Sequence, residues 1–249
     1  MLRELKFALR SLAKTPGFTI VAVLVLALGI GANTAIFSVM EATLLRPLPF
    51  PHAEQLVRVF ESIDDTDSRV GTLSLSETTV RQWREHGRDI ITDLAAADIG
   101  TATLGHDNGT PTRMLSATRI SANFFSTLGQ LPVLGRSFTA DEDRPGGPRV
   151  VIVSYDFWQR ELGGRPSALG QTITIDEAPA TVVGIMPEHF RHPYLAEIWV
   201  PLAAHFDPAA PRSHYLYGVA RLQPGVTVDQ ADAAFRRICA SVNAMPLGR

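Results

Sequence analysis

His189 and His192 are the imidazoles whose spacing would suit a metal ion, since three residues apart on a helix they would share one face. Pro187 and Pro193 flank them, and prolines on both sides favour a loop, so no metal is expected there. Two acidic runs, Asp64-Asp65-x-Asp67 and Asp141-Glu142-Asp143, have the composition of cation loops. Neither carries the glycine and distal glutamate of an EF-hand, and solvated turns are the expectation. Cys239 is the single cysteine, so an internal disulfide and a two- or four-cysteine zinc site are excluded; beside Ile238 it reads as a buried thiol. No Gly-x-Ser-x-Gly elbow and no His-Glu-x-x-His pair is present. Both lysines, Lys6 and Lys14, lie in the opening segment, which rules out a phosphate-cradling Gly-Lys-Ser/Thr loop in this sequence. No catalytic, cofactor-binding or metal-binding residue is therefore expected, and Trp83, Trp158 and Trp199 are assigned to core packing.

The elements around these residues begin with a membrane segment. Thr15 to Met40 carries no charge, and its apolar run slightly exceeds the ~20 residues that span a bilayer as a helix. A cleaved signal peptide is the rival, but its apolar region is shorter than this one. Gly29-Ile-Gly31 lacks the third glycine of a dinucleotide loop, where Thr34 stands, and sits inside the apolar run. Ala27, Gly31 and Ala35 recur at every fourth residue and offer a small-residue face for helix packing. Ahead of the span, Leu2, Leu5, Leu9 and Leu12 form one helical stripe and Arg3, Lys6, Arg10 and Lys14 another. An amphipathic helix over 1–16 is expected at a membrane surface, broken from the span by Pro16-Gly17. Residues 1–16 sum to +3, whereas the chain from Phe50 onward has 18 arginines against 23 carboxylates, or −5. The basic excess predicts a cytoplasmic N-terminus and an exported main domain. The acidic body argues against nucleic acid as a partner.

Past the prolines at 47, 49 and 51, a short strand is expected around Leu56–Phe60. Ser74-x-x-Glu77 fits a capping box for a helix through Val80 and Trp83 that ends near Gly87. From about Ile99 the pattern becomes β, with Asn108-Gly109 as a hairpin turn. Val150–Val153 reads as a buried strand, Ser154 as the cap of a helix over 155–162, and Gly163-Gly164 as its stop. Thr172–Ile175 and Ala180–Ile185 form a second hairpin around Asp176–Pro179. Leu216–Leu222 is a strand, and Thr227-x-x-Gln230 caps a final helix carrying Ala231, Ala234, Phe235 and Ile238. Strand–helix units at both ends with β structure between them give an α+β body with a β-rich insertion.

Leu5-Lys-Phe-Ala-Leu-Arg-Ser-Leu12, the stretch Ala27-Leu-Gly-Ile-Gly-Ala-Asn-Thr-Ala-Ile-Phe-Ser-Val39 and Leu44-Leu-Arg-Pro-Leu-Pro-Phe50 together resemble the start of MacB/FtsX-like ABC-transporter permeases. The nearest type is the duplicated orphan permease group. Val150–Trp158, Gly163–Gly170, Thr181–Pro187 and Ala220–Thr227 are similar to the periplasmic core domain of that family. The resemblance implies a cytoplasmic amphipathic helix over 1–16, a transmembrane helix over 17–45 and a core domain over 46–249. Within the last, it implies a porter-like α/β unit over 50–97 and 202–242 and a β-rich insertion over 98–201. It further implies a bacterial inner-membrane location, three more spans, a separate ABC ATPase subunit, and transmission of the ATPase cycle to the exported side. A second copy of the chain is a candidate partner. No second apolar span follows Ala240, so the chain is expected to be the opening portion of such a permease. In the family a strand follows the last helix; the tail Asn243–Arg249, with Pro246 and Gly248, is expected to leave that place empty. Two alternatives stay open beside the permease fragment: an anchored module that binds a peptide, lipid or antibiotic, and an exported enzyme of unrecognised type.

Overall fold

A computed structural model describes residues 14–40, 50–63, 71–105, 113–203 and 214–243. Arg3, Lys6 and Arg10, the acids at 64–67, Asn108-Gly109 and the tail at 244–249 lie outside the described residues. The chain divides into two units, Met1–Pro49 and Phe50–Arg249. In the first, helix α1 runs over Pro16–Met40, and its Pro16–Ser38 stretch has a mean hydropathy of 2.4 with no buried residue. Pro16 and Gly17 form its first turn, and the break from the helical Lys14 falls one residue earlier, at Thr15. A proline fits there because its missing N–H would have no partner in a first turn.

The second unit is α+β, as expected. Its strands are β1 (Leu56–Val59), β2 (Glu61–Ile63), β3 (Gly71–Leu73), β4 (Ile91–Gly105), β5 (Arg113–Ile120), β6 (Leu134–Gly135), β7 (Val150–Val153), β8 (Thr172–Ile175), β9 (Ala178–Ile185), β10 (Ile198–Pro201) and β11 (Tyr217–Leu222). Its helices are α2 (Glu77–His86), α3 (Phe124–Leu128), α4 (Tyr155–Glu161) and α5 (Val228–Asn243). β2 and β3 pair with each other, and the remaining strands form one sheet ordered β1-β11-β4-β5-β10-β7-β9-β6, with β8 bridging β4 and β9.

β4 organises this sheet. Its residues Ile91–Ala97 pair with β11, and Ala97–Leu104 pair with β5 on the other edge, so Ala97 is the residue where the two ladders meet, opposite both Tyr217 and Ile120. Beyond that step, β4, β5, β10, β7, β9 and β8 close into a ring through Leu104↔Ile175 and Gly105↔Thr174. Because side chains alternate along a strand, Ala102, Leu104, Leu115, Ala117, Val151, Val153, Val182 and Val200 all enter the ring and fill it. Ahead of the step, Leu94 and Ala96 pack on α2 and α5 with Trp83 and Phe235, whose rings stack at 4.3 Å. Ala95 and Ala97 point the opposite way, into a cluster of Phe124, Phe125, Phe190 and Trp199. β4 begins eight residues before the expected Ile99. Its alanine run has high intrinsic helix propensity, and burial on both faces overrides that preference.

Local signals explain most boundaries. Ser154 Oγ accepts from the Phe157 N–H at 3.1 Å, and Gly163 and Gly164 turn left-handed to end α4. At α5 the capping box is complete, with Thr227 N–H donating to Gln230 Oε1 at 2.9 Å and Gln230 N–H to Thr227 Oγ1 at 3.3 Å. At α2 the cap is Ser76, whose Oγ accepts from Thr79 N–H, not Ser74. The second hairpin turns on Asp176 and Glu177 alone, both at positive φ, so Ala178 and Pro179 already belong to β9.

Two outcomes follow from these contacts. Thr227→Ala should destabilise the start of α5 by about 1 kcal/mol, read as faster amide exchange in the first turn of that helix. His192 is packed between Phe50, Phe124 and Tyr217, and burial followed by the Arg58 charge lowers its pKa below the usual imidazole value. The unfolded chain then binds the proton more tightly, so stability is full above about pH 6.5 and falls as the pH drops towards the depressed folded value. The melting temperature should decline on acidification from neutral pH, and His192→Phe, which keeps the ring packing, should flatten that decline.

Candidate functional site

The chemistry-bearing residues singled out in the sequence do not converge. Lys14 is exposed at the edge of α1, and Ala27, Gly31 and Ala35 lie exposed along that helix. A methyl group placed on Gly31 would meet nothing within 4 Å. The small-residue face therefore has no neighbour among the described residues. His189 and His192 share a loop, as expected, but His189 is exposed beside Glu188 while His192 sits in the aromatic cluster. Among the described residues, no group of three His, Cys, Asp or Glu side chains could hold a metal ion. Cys239 is half-buried next to Trp83; burial, followed by the Glu61 charge, pushes its thiol up to about 11, so it is a protonated thiol at neutral pH rather than a nucleophile.

The acidic run at 141–143 is not the solvated turn expected of it. Glu142 is buried and takes both guanidinium nitrogens of Arg136, at 2.9 and 2.6 Å, together with the Thr139 N–H at 2.8 Å. The Arg136 hydrogen bonds hold its carboxyl below the usual carboxylate range. Asp143 accepts from the backbone N–H groups of Ala122 and Ala203, each at 2.8 Å, and so staples two separate segments. Only Asp141 is exposed, 3.6 Å from Arg144. Glu197 is a further clamp, bound by Arg113 at 3.0 Å and Arg160 at 2.7 Å. Burial works to raise its pKa, but these cations and the Ser116 N–H prevail and lower it. Glu142, Asp143 and Glu197 thus serve as structural ties, with both oxygens of each engaged.

Two features escaped the sequence reading. A groove of about 210 Å³ lies between β1 and α5, lined by Val57, Phe60, Trp83 and Phe235 with Arg58 and Arg236 at its rim. It touches consecutive residues of β1, whose side chains alternate in direction, so it follows the edge of that strand rather than one face. β1 terminates the sheet there. The second feature is the point where the chain enters the domain. Phe50 packs edge-on against His192 at 5.5 Å and Phe190 at 6.3 Å. Arg221 of β11 donates from Nη2 to the Pro51 carbonyl at 3.1 Å, and from Nη1 to the His52 carbonyl at 3.2 Å and Gln55 Oε1 at 3.5 Å. Its Nε donates to the Thr127 carbonyl in α3 at 2.9 Å. No spacing rule points to this arginine, which reads simply as the polar position of an alternating strand.

Comparison with known proteins places this architecture. The family model described as MacB-like periplasmic core domain matches residues 19–238. The macrolide export ATP-binding/permease protein MacB of Burkholderia pseudomallei is 22% identical over 192 residues, which cover 70% of this chain and 29% of that protein. The chain thus spans less than a third of this relative. Among solved structures, the periplasmic region of MacB from Actinobacillus actinomycetemcomitans superposes with a TM-score of 0.58 at 14% identity, covering 76% of this chain and 84% of that one. The extracellular domain of the noncanonic ABC-type transporter YknZ from Gram-positive bacteria gives 0.56 at 18% identity, over 76% and 95%. At these identities the superpositions speak to the fold alone. With the family model covering most of its length, from the apolar helix to the last helix of the sheet domain, the chain belongs to the MacB-like periplasmic core domain family.

Proposed function

We propose that the chain supplies the first membrane span and the extracytoplasmic domain of an ABC-transporter permease in a bacterial inner membrane. One observation carries this reading: a charge-free helix long enough to cross a bilayer stands directly ahead of a domain with the fold of a MacB periplasmic region. The +3 balance of residues 1–16 supports a cytoplasmic N-terminus, with Arg3, Lys6, Arg10 and Lys14 at anionic headgroups and the acidic domain outside. Ala27, Gly31 and Ala35 would face a further span, from the rest of the permease or from a second copy. This sequence has no P-loop lysine, so nucleotide would be handled outside it, by an ABC ATPase subunit. The domain's own part is to relay movement or dock partners, with a porter-like unit over 50–97 and 202–242 and a β-rich insertion over 98–201 sharing β4. The edge groove beside β1 favours a second reading, an anchored module that binds an apolar ligand or an extended peptide.

Topology is the experiment. With Cys239→Ser as background, Ser167→Cys places one thiol on an exposed site of the domain, and Leu2→Cys places one near the N-terminus. A membrane-impermeant maleimide should label the first in intact spheroplasts and the second only after permeabilisation. The opposite pattern contradicts the proposal. Neutralising Arg3, Lys6, Arg10 and Lys14 together should raise the inverted fraction.

A further inference from the structure

We infer that Phe50–Gln55 is a clamped strap, and that Arg221 is the residue through which a pull on the preceding chain reaches the sheet. The inference rests on the relay reading for its purpose, but its structural basis is local. The segment leads into β1, the outermost strand of the sheet, held by one neighbour over Leu56–Val59. A pull applied along the chain would peel such an edge strand one pair at a time. The Arg221 contacts prevent this, because they take hold of the chain before β1 begins. Arg221 stands on β11, which is paired on both edges, with Leu56 opposite it in β1 and Asp93 opposite it in β4. Asp93 is fixed in turn by Asn123 Nδ2 at 2.6 Å and Thr127 Oγ1 at 3.0 Å, and α3 also receives the Arg221 Nε. Load entering at Pro51 and His52 is therefore delivered to an inner strand and a helix.

Chemistry and shape agree with a clamp. A planar guanidinium with five donors can hold several carbonyl oxygens in fixed directions, which a lysine ammonium cannot do. Among the described residues, every hydrogen bond of Arg221 goes to an uncharged oxygen of Pro51, His52, Gln55 or Thr127. Gly129 has φ 72°, and a Cβ there would lie 3.3 Å from the Pro51 ring and 3.5 Å from Arg221 Nη2. The strap thus lies against bare backbone, at a left-handed position that suits glycine. Phe50 is a second anchor, seated against Phe190 and His192.

Single-molecule pulling on the full detergent-solubilised chain tests the clamp, with handles at Pro49→Cys and Ser167→Cys on Cys239→Ser. The otherwise native chain should show no extension before the step that opens β1. Arg221→Ala should add an early, lower-force step of up to about 20 Å, the fully extended length of six residues less the span they already cover. Arg221→Lys should show the same early step, and Phe50→Ala, which leaves β11 intact, should lower the force of the first event. Handles moved to Ser167→Cys and Asp229→Cys bypass the strap, and there Arg221→Ala should rupture at the native force. Identical traces for the native chain and Arg221→Ala overturn the inference, as does an equal weakening in both pulling geometries, which would mark a general loss of stability. The topology experiment is independent. If labelling fails while the early step appears, the clamp stands and the relay reading falls; if labelling succeeds without the step, load enters elsewhere and the clamp is wrong.

Discussion

The fold depends on one strand being buried on both faces while its partners are staggered along it. Four consecutive residues of β4, Leu94 to Ala97, are almost completely buried. Two of them serve the helical layer of α2 and α5, and two serve the aromatic cluster under α3. Three of the four are alanines, which lets layers on both sides approach the strand closely. A larger side chain at Ala95 or Ala96 would have to displace a packed layer, and overpacking of that kind commonly costs about 1–3 kcal/mol. Beyond Ala97 the same strand becomes a stave of the closed ring. The ring and the helix-backed layer therefore share a backbone, and neither can rotate against the other without breaking the ladder.

Around that spine, charge is spent on joints. Arg136 and Glu142 fix the loop before β7, Asp143 staples the segments at Ala122 and Ala203, and Glu197 draws together Arg113 and Arg160. Arg84 reaches the Leu94 carbonyl and Asn123, tying α2 to β4 and α3. The carboxylate ends of these joints are largely buried while the arginines reach the surface, so each ties separate segments through fixed hydrogen bonds.

Much of this was legible in the sequence where the signal is local. The charge-free run to Met40, the Ser154 cap, the apolar Val150–Val153 strand and the Thr227-x-x-Gln230 box depend on neighbouring residues, and each lies where it was expected. The misses have tertiary causes. Leu94–Ala97 prefers helix in isolation and becomes strand because two layers demand it. Ser74 has the capping-box spacing, but the cap is Ser76, whose own N–H is taken by buried Glu61 at 2.7 Å. The 141–143 acids resemble a solvated turn until Arg136 and two distant amides arrive to occupy two of them. Phe50 and Arg221 lie in segments that resemble the family, but no local rule gives their roles, which rest on contacts across roughly 140 to 170 positions of chain.

Through β4 the helix-backed layer and the ring form one mechanical body. Scanning calorimetry of the full chain in detergent tests it most directly, since a shared spine requires both halves to melt together. A single transition of the sheet domain is expected, with calorimetric and van't Hoff enthalpies in agreement. Two separable transitions, with either half surviving the loss of the other, would contradict it.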